Sequence, residues 1–155
     1  MSNRKRALRE LQHFERDHGV SCSICLGPLE VGLSDQPHRA CLVGLFGAPQ
    51  PPEMDVDLAK LHTLALAMVG RTSLSGIQRK ISVSLAVERG TYRLCAGPGN
   101  YILKPQSQTF PALPENEHTT MRLASLVGHE TPPCGLVKHR DGSLAFIVQR
   151  FDRES

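Results

Sequence analysis

Tryptophan is missing from this 155-residue chain, and aromatic residues of all kinds make up only 5% of it. Its core must therefore be built from aliphatic side chains around a few aromatic anchors. No apolar run reaches the roughly 18 to 20 residues that span a bilayer, and Met1 to Val20 holds no signal-peptide apolar segment. The chain is accordingly expected in the cytoplasm, with no membrane partner. The excess of one charge sign is also small: the formal net charge is +3, and Arg4, Lys5, Arg6 and Arg9 crowd at the N-terminus as a solvated basic end. Direct nucleic-acid contact is not expected from so mild a balance. What remains is an ordinary globular mixture, 40% hydrophobic and 21% charged, long enough for one core with a small appendage. The cysteine count is five, which is odd. In a reducing compartment such thiols are metal ligands or small buried groups before they are disulfides.

Four units follow along the chain. Residues 1–20 form a basic segment in which Leu8, Leu11 and Phe14 recur at helical spacing. Residues 21–47 are punctuated by Cys and His and look too rich in Gly and Pro for regular elements. Residues 48–57, opening Ala48-Pro49-Gln50-Pro51-Pro52, read as a stiff linker. Residues 58–155 carry the main domain. There, Asp57 can cap a helix through Leu58, Leu61, Leu64 and Met68 that stops at Gly70. A Ser/Gly loop leads to a strand with alternating Ile81, Val83, Leu85 and Val87, a turn at Arg89-Gly90, and a return strand from Tyr92 to Ala96. Tyr101 to Lys104 is a third strand, halted by Pro105. Pro114 opens a helix over about Glu115 to Val127, closed by Gly128. A last hairpin, Leu136 to His139 and Ser143 to Val148, turns at Asp141-Gly142, read as type I′. The expected class is α+β: a small antiparallel sheet with two helices, preceded by the Cys/His segment.

That segment pairs Cys22-Ser23-Ile24-Cys25 with His38-Arg39-Ala40-Cys41, a CxxC and an HxxC twelve residues apart. Two-residue spacers let both ligands of a pair converge from a tight turn, and Gly27 supplies backbone freedom just after the second Cys. Three thiolates and an imidazole, Cys22, Cys25, His38 and Cys41, suit a tetrahedral Zn²⁺ with no open position, which makes the site structural. About 25 residues cannot bury enough apolar surface to fold alone, so metal binding would supply the folding free energy. The competing reading is unmetallated thiols with an incidental His. A RING finger is excluded, because nothing after Cys41 supplies a second CxxC. Cys95 and Cys134 read as core or loop thiols.

A phosphate needs converging backbone N–H donors and a cation. Ser73-Leu74-Ser75-Gly76-Ile77-Gln78-Arg79-Lys80 can supply the donors, with Gly76 allowing close approach. Lys104 can supply the cation, and Glu117, in the first turns of the next helix, is placed to hold it. Each signal is weak alone, and the order of the set raises its weight.

The ordered set of SxSGxQxK, a strand ending Ile-Leu-Lys-Pro, Pro-Glu-Asn-Glu opening a helix, and a terminal Val-Gln-Arg-Phe-Asp-Arg resembles the N-lobe of HipA-type serine/threonine kinases, the toxins of bacterial toxin–antitoxin modules. It covers roughly Arg71 to Arg153. The Cys/His knuckle with its trailing Leu45-Phe46-Gly47 is similar to the N-terminus of the short, HipT-like members. The resemblance implies ATP with Mg²⁺ as cofactor, held by Lys104, by Gly76 and Gln78 of the loop, and by Gln149 and Phe151 where the interlobe hinge meets adenine. It pairs Lys104 with Glu117 and makes Ser73 and Ser75 autophosphorylation sites. A phosphoserine there adds about two negative charges beside the ATP phosphates, which is self-inhibitory. It also implies a DNA-binding antitoxin partner and a C-lobe, beyond these residues, that carries the catalytic Asp and the metal-binding residues. Without that lobe the chain is not expected to be a competent kinase.

His139-Arg140-Asp141 spells the start of a protein-kinase catalytic loop, but that motif requires Asn five residues after the Asp, where this chain has Phe146. No DFG follows, so the tripeptide is read as a hairpin turn. Two further functions stay open from sequence: a zinc-stabilised module that binds a protein or nucleic acid, and a vestigial fragment.

Overall fold

The computed structural model describes residues 20–29, 36–56, 80–107 and 110–152. The expected helices at 4–17 and 58–68, and Ser73, Ser75, Gly76 and Gln78, lie outside the described residues. In chain order the elements are α1 (Arg39–Phe46), β1 (Glu53–Asp55), β2 (Ile81–Glu88), β3 (Thr91–Ala96), β4 (Tyr101–Pro105), α2 (Leu113–Leu126), β5 (Cys134–Lys138) and β6 (Leu144–Gln149). The strands form one six-stranded sheet in the order β1-β3-β2-β4-β6-β5. Every neighbouring pair is antiparallel except β1 with β3, which is parallel. The class is α+β as expected, and the sheet is mixed rather than purely antiparallel.

Period-two alternation explains how the sheet divides its side chains. Antiparallel partners share a face, so Leu103 with Ile147 and Pro105 with Ala145 lie on one side, while Lys104 with Phe146 lies on the other. The first side carries the main core: Val83, Leu94, Leu103, Ala145 and Ile147 are buried there with Tyr101, Met54, and Leu42, Leu45 and Phe46 of α1. On the second side α2 packs against β5 and β6, where the His118 and Phe146 rings lie 6.4 Å apart.

Two segments expected to be irregular are not. Arg39–Phe46 is a helix because Leu42, Leu45 and Phe46 recur at i, i+3 and i+4, and burying that stripe on the sheet outweighs the glycines around it. Gly44 faces open space within it, and Gly47 ends it in the left-handed conformation (φ +66°). The stretch read as a stiff linker contributes β1, whose Met54 sits opposite Leu94, and Ala48 within it is fully buried. The knuckle is thus pinned directly to the sheet. The Tyr101 hydroxyl donates to the Leu45 carbonyl at 3.0 Å, and the Tyr101 and Phe46 rings lie 5.8 Å apart. One such hydrogen bond contributes about 1 kcal/mol net, whereas each fully buried large aliphatic or aromatic side chain contributes about 1.5 to 3 kcal/mol. Burial therefore drives the docking of α1, and the hydroxyl fixes its position.

Turn chemistry sets the hairpins. Arg89 and Gly90 both have positive φ (50° and 82°), the type I′ geometry that suits a two-residue loop. The β5–β6 turn differs from the type I′ expected at Asp141-Gly142. The Gly142 N–H donates to the His139 carbonyl and the His139 N–H to the Ser143 carbonyl, and only Gly142 of the pair has positive φ (86°). This is a three-residue loop with Gly in the left-handed bulge position, and the Asp141 carboxylate accepts from the Ser143 N–H and hydroxyl instead of adopting positive φ itself. The HRD tripeptide is therefore a turn. Helix α2 ends as expected from its glycine: the Gly128 N–H donates to the Ser125 carbonyl and the His129 N–H to the Ala124 carbonyl, a Schellman closure.

Gly99 marks the tightest backbone approach. A Cβ there would fall 2.2 Å from the Val83 carbonyl oxygen and 2.5 Å from the Ser84 Cα. Neither atom is a flexible side-chain end, so the β2 backbone itself would have to move. Gly99→Ala is expected to destabilise the fold by about 3 kcal/mol or more, read as a drop in the denaturation midpoint; a loss below about 1 kcal/mol would contradict this packing.

Candidate metal centre and the lysine strand

The Cys/His centre is built on a short bridged loop. Ser21 pairs with Pro28, the Cys22 N–H donates to the Gly27 carbonyl, and the Leu26 N–H to the Cys22 carbonyl. The left-handed residue of this loop is Leu26 (φ 62°) rather than the expected Gly27. Gly27 instead sits close to the cluster: its N–H reaches the Cys25 sulfur at 3.4 Å, and a Cβ on it would stand tightly, 3.3 Å, from that sulfur.

The second ligand pair sits at the start of α1, with His38 as its N-cap and Cys41 in its first turn. His38 makes no side-chain cap bond because its ring is used elsewhere. Its Nε2 lies 3.1 Å from the Pro28 carbonyl oxygen, and a carbonyl can only accept, so Nε2 carries the proton. Nδ1 then presents its lone pair, 3.3 Å from the Cys25 sulfur and 3.8 Å from the Cys41 sulfur. A ring held this way by a backbone carbonyl is the usual outer support of a metal-ligating histidine.

One ligand atom from each of Cys22, Cys25, His38 and Cys41 lies within 4.8 Å of the others. Metal–sulfur bonds near 2.3 Å give a tetrahedral edge of roughly 3.8 Å, so the cluster closes around an ion with little movement. Its electrostatics also ask for a cation. Burial raises the Cys22 thiol, but backbone N–H groups of Cys25 and Ile24 outweigh it and bring the thiol down to about 7. Burial and the neighbouring Cys25 and Cys22 sulfurs push Cys41 up to about 12. Three sulfurs this close do not all ionise unless a positive ion joins them. The donor set and its spacing fit zinc, and they fit it as a closed structural site. Cys95 and Cys134 stand apart from it, and burial raises the Cys134 thiol as expected of a core cysteine.

On the α2 side of the sheet, Lys104 and Glu117 meet. The Lys104 ammonium bonds the Glu117 carboxylate, with both side chains mostly shielded (17% and 26% exposed). Strand β4 carries the lysine and α2 the glutamate. Pairing with β2 ends at Leu103, so Pro105 completes β4 against β6 alone and its missing N–H costs no described ladder bond. Beneath the ammonium lies the Phe146 ring, 5.4 Å from Nζ to the centroid. Phe146 is only 1% exposed. The residue that spoils the catalytic-loop reading of HRD thus serves as the floor under Lys104.

Gln149 ends β6 opposite Tyr101, three positions from the Lys104 pair, hence about 10 Å along the strands. Just beyond it Phe151 is 89% exposed, and Arg150 is paired with Asp152. Sequence reasoning did not find His118, fully buried on α2 next to Glu117. Its Nε2 donates to the Ile24 carbonyl inside the CxxC turn at 2.9 Å, and burial holds its pKa below the usual histidine range. Its only sequence signal was a polar residue one position after Glu117, on the inward stripe of the helix.

A family model described as the HipA-like C-terminal domain matches residues 72–155, which include the strand lysine, α2 and the terminal hairpin. This chain belongs to the HipA-like family. A protein of Haemophilus influenzae named "Putative kinase" is 38% identical over 107 residues, covering 66% of this chain and 31% of that protein. Two proteins of Sinorhizobium fredii are also similar: "Putative kinase Y4mE", 32% identical over 83 residues (54% of this chain, 20% of that protein), and "Putative kinase Y4dM", 30% identical over 121 residues (69% and 29%). The HipA-like chain spans less than a third of the length of each of these relatives.

Purified HipA-like chain is expected to carry about one zinc per molecule with three sulfur ligands and one nitrogen, read by X-ray absorption at the zinc edge. Cys22→Ser should lose the metal. A metal-free protein that unfolds with the same midpoint whether or not zinc is added would contradict the assignment.

Proposed function

We propose that this chain forms the nucleotide-gripping lobe of a HipA-like serine/threonine protein kinase. One observation carries the reading: a lysine on a central strand and a glutamate on the adjoining helix are paired over an aromatic floor. In phosphoryl-transfer enzymes of the kinase type, such a pair holds the cation that meets the ATP phosphates. Here Lys104 would take that part and Glu117 would fix its ammonium. Phe146 excludes water below the pair. The Ser73–Lys80 loop would supply backbone donors through Gly76 and Gln78. Gln149 and Phe151 would meet the adenine at the other end of the β4–β6 pair, and the exposure of Phe151 leaves its ring free to stack.

Mg²⁺, when bound with ATP, supplies charge neutralisation of the phosphates. The residues of this chain contribute position rather than proton transfer, and the catalytic Asp belongs to a complementary C-lobe. Ser73 and Ser75 are proposed as autophosphorylation sites whose added charge opposes ATP phosphates through simple repulsion. A DNA-binding antitoxin partner, a role as a toxin and a cytoplasmic location complete the proposal, the first two as what the sequence resemblance implies.

The test is nucleotide binding to the whole chain by calorimetry. Lys104→Ala should weaken Mg–ATP binding by about 10- to 100-fold, the worth of one charge-assisted contact, and leave adenosine binding unchanged. Equal ATP affinity in Lys104→Ala and the parent chain, or no ATP binding by the parent, would overturn the reading.

A further inference from the structure

Two consecutive carbonyls of the CxxC turn accept hydrogen bonds from the lobe. The Ser23 carbonyl takes the Leu136 N–H of β5 at 2.7 Å, and the Ile24 carbonyl takes His118 Nε2 of α2 at 2.9 Å. Both residues lie between the ligands Cys22 and Cys25, so an ion that fixes the two sulfurs also fixes the planes of these carbonyls. His118 directly follows Glu117, and its ring lies 6.4 Å from Phe146, the floor beneath Lys104. The metal centre, His118, Phe146 and the Lys104–Glu117 pair therefore form one contiguous set of contacts.

The histidine is costly where it stands. It is fully buried, and its Nδ1 has no hydrogen-bond partner among the described residues. An unpaired buried polar atom costs about 1 to 3 kcal/mol, so a Phe or Leu would serve packing better at this position. What only the histidine provides is the Nε2 bond to Ile24. Gly135 keeps the same contact tight from the β5 side: a Cβ on it would meet the Ile24 side chain at 3.0 Å and the Ser23 carbonyl oxygen at 3.2 Å.

We propose that the Cys/His centre positions the Lys104–Glu117 pair through His118, so that zinc occupancy and the grip on a nucleoside triphosphate are coupled. His118 is a positioning residue that touches neither ligand. The ATP half of this statement rests on the function proposed above. A device of this kind lets the fold sense its metal: loss of zinc frees the Ile24 carbonyl, and α2 with Glu117 loses its anchor.

Linkage makes the coupling reciprocal, so it can be read from the metal side. Zinc affinity of the full chain is measured by chelator competition with and without saturating Mg–ATP. The parent chain is expected to bind zinc about 10-fold more tightly with ATP, within the usual range of coupling between sites. His118→Phe keeps a ring against Phe146 but removes the donor; it should still take up one zinc, with the ratio reduced to about one. His118→Gln can place an amide N–H near the lost Nε2 and should restore most of the ratio. A ratio of one in a parent chain that binds Mg–ATP, or an undiminished ratio in His118→Phe, overturns the proposal. If His118→Phe does not fold, the parent ratio and the His118→Gln variant decide it by the same criteria. A second readout needs no nucleotide: the ¹³C signal of reductively methylated Lys104, assigned with Lys104→Arg, should shift on zinc removal in the parent and stay fixed in His118→Phe. If that signal shifts although Lys104→Ala leaves ATP binding intact, the nucleotide reading fails and the positioning survives. If ATP binding depends on Lys104 but neither readout responds to zinc, the positioning fails alone.

Discussion

The CxxC turn is the constraint on which the rest of the structure depends. Its Ser23 and Ile24 carbonyls tie together β5 at the sheet edge and α2 on one face, while the helix that His38 caps and that carries Cys41 buries Leu42, Leu45 and Phe46 on the opposite face. A loop of this size has no core of its own, so its shape comes from the surfaces it joins and would be completed by an ion at its Cys/His cluster. The knuckle thus closes around one edge of the sheet and touches both of its sides. It also covers part of β5, an edge strand that would otherwise offer its N–H groups to a neighbouring chain.

The energetic roles divide cleanly. Aliphatic burial holds α1 and the sheet together, and hydrogen bonds such as Tyr101 to Leu45 decide where they sit. The α2 side adds the Lys104–Glu117 pair and the His118 bond to Ile24 around the buried Phe146 ring. The Lys104–Glu117 pair is largely shielded, and desolvating such a pair offsets much of its Coulomb gain. Its worth is therefore in placing the Lys104 ammonium rather than in stability. The surface pairs of Arg93 with Glu53 and Glu88 are exposed and add little.

Much of this was legible in the residues. Alternation of Val83 and Leu85, the Pro114 start and Gly128 stop of α2, and the CxxC–HxxC spacing are local signals, and the structure places the four metal-ligand candidates in one cluster. Lys104 and Glu117 were paired from the order of strand and helix together with the analogy to the strand lysine and helix glutamate of kinases, and the structure brings them together. What stayed hidden depends on distant contacts. Helix α1 is visible only once the apolar stripe of Leu42, Leu45 and Phe46 is given the weight that Gly44 and Gly47 took from it. Strand β1 forms because β3 offers a free edge, which no feature of Glu53-Met54-Asp55 announces. The turn at Asp141-Gly142 has the dipeptide of one hairpin type and the geometry of another, because Ser143 gives the Asp141 carboxylate two donors. His118 was overlooked because its partner lies 94 residues away.

The central claim is that the Cys/His knuckle and the sheet with α2 are one cooperative unit. Native-state hydrogen exchange tests it most directly, by comparing the Leu136 amide, which bonds the knuckle, with the amides of the β4–β6 ladder, before and after chelation of the metal. The account predicts that both groups lose protection together and by similar free energies. Loss of protection at Leu136 with the ladder unchanged would contradict it.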